Sequence, residues 1–159
     1  MKKILSVMLA VFLFTGTTMA QFDRGNLFVN ANVSEVSLSF GGTTTFSMGA
    51  YGGYFLADHL ALIGGLDFFA FKDYSSFNIA GGVRYYFLET SNGGLFASGL
   101  MDIGKSKDVD ATVGLRFNGG YAFLLNQHVA LEPMATLRLP FADGADVTFT
   151  LGAGISVYF

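Results

Sequence analysis

Charge is scarce in this chain, and where it stands is the first clue to chemistry. Asp67, Arg84, Asp102, Arg116, Glu132 and Arg138 each interrupt a stretch in which apolar residues alternate with small or polar ones, and each falls on the polar parity. Two carboxylates such as Asp102 and Glu132 are the residue types of general acid–base catalysis. Three arginines share their setting, however, and an enclosed charge is costly unless it is paired. We therefore expect the six to form a structural ion-pair network. The two histidines open matching tetrapeptides, His59-Leu60-Ala61-Leu62 and His128-Val129-Ala130-Leu131. Each follows a Gly-Gly-Tyr segment, Gly52-Gly53-Tyr54 and Gly119-Gly120-Tyr121. Such an echo marks a repeated hairpin unit rather than a catalytic base. The chain has no cysteine. It shows no metal-ligand spacing and no glycine-rich loop running from a strand into a helix. No catalytic residue, cofactor or metal is expected.

The elements that must hold these residues follow a secretory leader. Lys2 and Lys3 precede an apolar run from Ile4 to Phe14 and a small-residue tail ending Thr18-Met19-Ala20. This is the pattern of a signal peptide, residues 1–20, cleaved between Ala20 and Gln21. The run is short for a membrane-spanning helix. Residues 21–159 then form one domain. Alternation is clearest at the end, where Phe149, Leu151, Ala153, Ile155, Val157 and Phe159 oppose Thr150, Gly152, Gly154, Ser156 and Tyr158. Period two over this length means a strand with two unlike faces. Eight strands are expected, over 26–34, 44–55, 60–70, 76–87, 95–104, 111–124, 129–139 and 147–159, separated by turn residues. Pro133 falls inside one of them and cannot donate a ladder bond, so a bulge is the expected accommodation. Against a bulge, Glu132 and Arg138 keep the same parity.

Composition decides which face meets what. The 159 residues are 52% apolar and 16% aromatic, with 21 Gly and 18 Phe, and only 13% charged. A disordered chain is excluded by the apolar content, and a nucleic-acid binder by the net charge of −3. A soluble barrel covers its polar face with Lys and Glu; here that face is mostly Gly, Ser, Thr, Asn and Ala. Asp23, Arg24, Asp58 and Glu89 fall near the tight turns at one end. Glu35, Lys72, Asp73, Lys105, Lys107, Asp108, Asp110, Asp143 and Asp146 are expected in loops at the other. None is expected on the apolar face, where a charge facing lipid at mid-depth costs about 2–4 kcal/mol. Tyr54, Tyr85 and Tyr121 on one side, and Phe46, Phe68, Phe77 and Phe149 on the other, are placed to form two interfacial belts. The fold class is thus all-β, an eight-stranded antiparallel transmembrane barrel of up-and-down topology with a filled polar interior. Phe and the aliphatics are expected to face lipid, and glycines such as Gly49, Gly53, Gly65, Gly82, Gly114, Gly120 and Gly152 to make room inside.

The hairpin Gly52-Gly53-Tyr54-Phe55-Leu56-Ala57-Asp58-His59-Leu60-Ala61-Leu62 and the end Ile155-Ser156-Val157-Tyr158-Phe159 carry a resemblance. The chain resembles the small outer-membrane β-barrels of the outer membrane protein A and X class. Within them it is most similar to the stand-alone outer membrane protein beta-barrel domain proteins of the Bacteroidota type. The resemblance covers essentially all of residues 21–159. It implies residence in the cell outer membrane, with lipid and the barrel assembly machinery as partners. Phe159, with Val157 and Ile155, resembles the terminal signal that this machinery reads. The chain departs from the protein A pattern in stopping at Phe159, so no tether to the cell wall is implied. Some barrels of this size modify lipid A with a histidine, a serine and an acid. His59 and His128 lie in turns at the end away from the outer leaflet and do not fit that arrangement. The expected function is an integral outer-membrane barrel, monomeric, with a structural or surface-interaction role, not an enzyme, with no nucleic-acid partner. A narrow gated channel is the alternative, and a lipid-A-directed enzyme the more remote one. The sequence names no surface partner.

Overall fold

Side chains alternate between the two faces of a strand, so a chain of such strands can close only if one whole face turns inward. The computed structural model describes residues 21–38, 46–71, 74–106, 109–142 and 147–159. The leader, including Ala20, and Lys72, Asp73, Lys107, Asp108, Asp143 and Asp146 lie outside the described residues. The strands are β1 (Leu27–Leu38), β2 (Phe46–Ala57), β3 (Leu60–Phe71), β4 (Tyr74–Thr90), β5 (Gly93–Ser106), β6 (Val109–Leu124), β7 (Val129–Pro140) and β8 (Thr148–Tyr158). They form a closed barrel in sequence order, every neighbour antiparallel, with β8 paired back onto β1. At that seam Leu27 and Phe159 exchange main-chain bonds of 3.1 and 2.8 Å. Closure leaves no sheet edge unpaired. No helix among the described residues is long and apolar enough to cross a membrane.

Most strands run further than the sequence suggests, chiefly at the end opposite the termini, while β2 is shifted by two residues and β8 is slightly shorter. Glu35, expected in a loop, lies within β1 opposite Gly152, and Asp110 lies within β6. Lys105, also expected in a loop, sits in β5 opposite Phe77 on the outward row, and is exposed. This corrects the expectation that the outward face carries no charge. A lysine near the end of a strand can lay its stem along an apolar wall and keep its ammonium in water. Pro133 is not absorbed by a bulge. The β7–β8 ladder passes through it in register opposite Ala153. The β6–β7 ladder instead pairs Gly120 with Met134, resumes at Phe123 with Leu131, and skips Tyr121 and Ala122 with no change of register. The missing donor costs a short gap in one ladder. Real irregularities occur elsewhere, between Asn32 and Ser34 in β1 and between Tyr86 and Leu88 in β4.

The outer surface is apolar. Leu62, Leu66, Ile79, Met101, Ile103 and Leu151 are all about half exposed, as are Phe68, Phe77 and Phe149 at one rim and Tyr54 and Tyr85 at the other. Phe46 has its side chain outside the described set. The inward face holds every one of the six charged residues singled out above. Not every phenylalanine faces outward, however. Phe22, Phe28, Phe55 and Phe96 turn inward with Tyr86 and Tyr158 and fill the lumen at the end that carries the termini. Small residues make this possible. A Cβ on Gly53 would collide with the edge of the Phe28 ring, and one on Gly65 with the Tyr51 ring.

Candidate functional site

Polar side chains converge in the lumen, and its charges fall into two clusters along the barrel axis. Nearer the termini, Arg84 from β4 meets Glu132 from β7 at 2.8 Å. The two side chains are 4% and 0% exposed, so neither charge has water to solvate it. The protein replaces that water. Glu132 also accepts from Ser156 at 2.6 Å, from the Tyr158 hydroxyl at 2.8 Å and from Asn30 at 3.1 Å. Arg84 donates from Nε to Ser98 at 3.2 Å and from Nη1 to Tyr86 at 3.3 Å. Its guanidinium lies 4.1 Å from the centre of the Phe96 ring, a cation–π contact that adds to the pairing.

Toward the other end, Arg116 from β6 reaches Asp67 of β3 at 2.6 Å and Asp102 of β5 at 3.5 Å. Tyr51 of β2 stands between them. Its hydroxyl lies 2.6 Å from each Asp67 oxygen and accepts from Arg116. Arg138 of β7 pairs with Asp102 and donates to Asn78 at 3.1 Å. All six residues are thus brought into contact with an opposite charge. No arginine joins the two clusters directly. Between them lies a cavity of about 10 Å³, lined by Asn32, Tyr51, Arg84, Arg116, Asn118 and Thr136, with Ile63 and Met134. Arg116 Nε, Asn32 Oδ1 and Asn118 Oδ1 have no hydrogen-bond partner in the protein. The space is that of about one water molecule, and its walls carry the two to four polar partners a buried water needs.

The partners Tyr51, Tyr86, Tyr158, Asn30 and Asn78 were not singled out by the sequence. Each sits on the inward parity of its strand, and that parity is the signal that finds them. Chemically, the arrangement holds charge in place. Ser156 donates to Glu132, the pattern of a nucleophile beside a base. But the carboxylate is already matched by Arg84, and both side chains are buried. No group of three or more potential metal ligands occurs among the described residues.

The two histidines stay out of the lumen, in turns at the termini end. The His59 ring meets Glu89 at 2.8 Å, and the His128 ring meets the Tyr158 carbonyl at 3.1 Å. Their backbones do equivalent work. The His59 carbonyl accepts from Tyr86 N at 2.8 Å, and that of His128 from Tyr158 N at 2.7 Å. The two tyrosines so anchored meet at their hydroxyls, 3.0 Å apart. The sequence echo therefore places a matched pair of aromatic rings across the lumen. At the seam, Ile155 and Phe159 are exposed and Val157 is half-buried, forming an apolar outward row.

No family model matches the chain, and no curated protein does. Solved structures do. The N-terminal β-barrel domain of Pseudomonas aeruginosa OprF superposes with a TM-score of 0.70 at 11% identity, over 86% of this chain and 98% of that one. Neisserial surface protein A gives 0.64 at 15%, over 84% and 96%. The outer membrane protein OprG of Pseudomonas aeruginosa gives 0.62 at 12%, over 89% and 99%. The chain thus has the fold of the small outer-membrane β-barrels over almost its whole described length.

Proposed function

We propose that this chain is an integral protein of the cell outer membrane, a closed barrel with a structural or surface-interaction role and no enzymatic activity. The observation that carries this reading is the inversion of polarity. Half-exposed Leu, Ile, Met and Phe cover the outer face, while the paired charges stand inside. Only a lipid solvent makes that arrangement favourable. With an even strand count, both termini and the tight turns face the periplasm, and the opposite rim faces outward. The finer reading is a barrel of the Bacteroidota type, monomeric, with Gln21 as its first residue after cleavage at Ala20. Its partners are then outer-membrane lipid, the assembly machinery reading Ile155, Val157 and Phe159, and a surface partner met at the outer rim. The six lumenal charges serve as a structural network that specifies and fills the interior.

The test is direct. The protein is expected in the outer-membrane fraction, with faster gel migration before heating than after. Recovery in the soluble periplasm sinks the reading. A second reading, a narrow channel, is favoured by the polar cavity between the two charge clusters. Steady single-channel conductance in a planar bilayer would support it; silence supports the closed barrel.

A further inference from the structure

The segment that precedes β1 does not hang free. Phe22 is 1% exposed and stacks on Tyr86 with ring centres 4.1 Å apart, edge-on to Tyr158 at 5.6 Å. Its carbonyl accepts from His59 N at 2.7 Å, in the turn between β2 and β3. One residue before it, the Gln21 side chain donates to the Gln127 carbonyl, in the turn between β6 and β7. One residue beyond Asp23, Arg24 N donates to the Asp58 carboxylate at 3.0 Å. Neither β2 nor β3 is a sheet neighbour of β6 or β7 in the barrel, so these bonds carry the segment across the mouth from one wall to another. Gly25 makes the crossing possible. Its φ is +96°, and a Cβ there would meet nothing within 4 Å. The glycine is thus required by the turn rather than by space. The wall is shaped to receive the ring: a Cβ on Gly94 would stand 2.9 Å from Phe22 and 3.1 Å from Tyr86.

We propose that residues 21–26 are a stopper that seals the termini end of the lumen, with Phe22 as its head. A tail that merely packed where it fell would not bond to turns on two walls, nor find a glycine in the wall where its ring sits. The stopper keeps water from the aromatic collar of Phe28, Phe55, Tyr86, Phe96 and Tyr158 and, behind it, from the Arg84–Glu132 pair. Its base, Gly25 and Asn26, is tied to Phe55 of β2 by bonds of 2.9 and 3.0 Å, whereas residues 21–24 are held by a few turn hydrogen bonds and one ring, outside the barrel's own ladders. Its opening therefore leaves the barrel intact, as a local unfolding event of low cost. The inference rests on reading the chain as a closed barrel set in lipid.

The native chain has no cysteine, so an introduced one reports alone. Ala122 is 0% exposed and pairs with Gly94 beside the stopper. The full chain carrying Ala122→Cys, in lipid nanodiscs open to solvent on both faces, is treated with a small charged methanethiosulfonate. Labelling is expected to be slow, and to rise by about tenfold or more when Phe22→Ala or Gly25→Ala is added. Leu125→Cys, in an exposed turn, serves as the reference and labels alike in every background. Slow labelling of Ala122→Cys in both variants, with heat-modifiable migration retained, overturns the stopper. Fast labelling without either variant overturns it equally. Labelling of Met101→Cys on the outer face has a different meaning: it overturns the lipid-embedded barrel itself.

Discussion

At the residue scale, the two ion-pair clusters differ from a surface salt bridge in what surrounds them. Glu132 is fully buried and meets four donors, so the energy at stake is that of leaving its partner alone. Glu132→Gln strands the Arg84 guanidinium in the lumen, and such a break costs about 3–5 kcal/mol. Replacing both, as Arg84→Met with Glu132→Leu, removes the desolvation cost along with the attraction and is expected to cost clearly less than the single change. The exposed His59–Glu89 pair, 35% and 42% exposed, is the control. Glu89→Gln is expected to change stability by no more than about 1 kcal/mol. Urea unfolding in detergent, followed by gel migration, measures all three. If Glu132→Gln matches Glu89→Gln, the lumenal pair is not the structural element described.

At the scale of the strand, Pro133 gives the sharpest case. Its carbonyl lies over Gly120, and the β6–β7 ladder is open at Tyr121 and Ala122. Pro133→Val supplies a donor there and is expected to stabilise the barrel by about 1 kcal/mol or less. Slower amide exchange at the facing residues of β6 would accompany it; faster exchange there would show that the gap relieves strain. The strands themselves were legible, because alternation survives wherever an apolar outer face backs a polar, narrow lumen. Their outer ends were not. Glu35, Lys105 and Asp110 are charged, and a strand end rich in charge looks like a loop from composition alone. The inward phenylalanines were hidden for a related reason. Residue type cannot separate a Phe facing lipid from one plugging a lumen, although Phe96 shares the parity of Ser98 and Asp102. The six charges were legible as a set by that same parity. Which arginine meets which acid was not, because partners on non-adjacent strands depend on the stagger of the closed barrel. Arg84 on β4 reaching Glu132 on β7 is such a pairing. Phe22 was missed altogether, since nothing periodic marks a segment outside the strands.

At the scale of the whole molecule, everything turns on which solvent the outer face meets, and a charge placed by depth reads this out. Leu66 lies near the centre of β3 and Met101 near the centre of β5, both outward and about half exposed. Leu125 is 57% exposed in the turn before β7. If the face met water, an arginine at any of the three would change stability by only about 0.5 kcal/mol, as surface substitutions do. In lipid the costs separate. Leu66→Arg and Met101→Arg each leave a cation at mid-depth and are expected to cost about 2–4 kcal/mol, while Leu125→Arg at the rim costs about 0–1 kcal/mol. Lys105 is the natural control, a cation that the chain already tolerates on the outward row because it stands at the opposite rim. Reversible unfolding from lipid vesicles gives the three values. Equal small costs at all three sites would mean water on the outer face, and with it a different account of why the charges are inside.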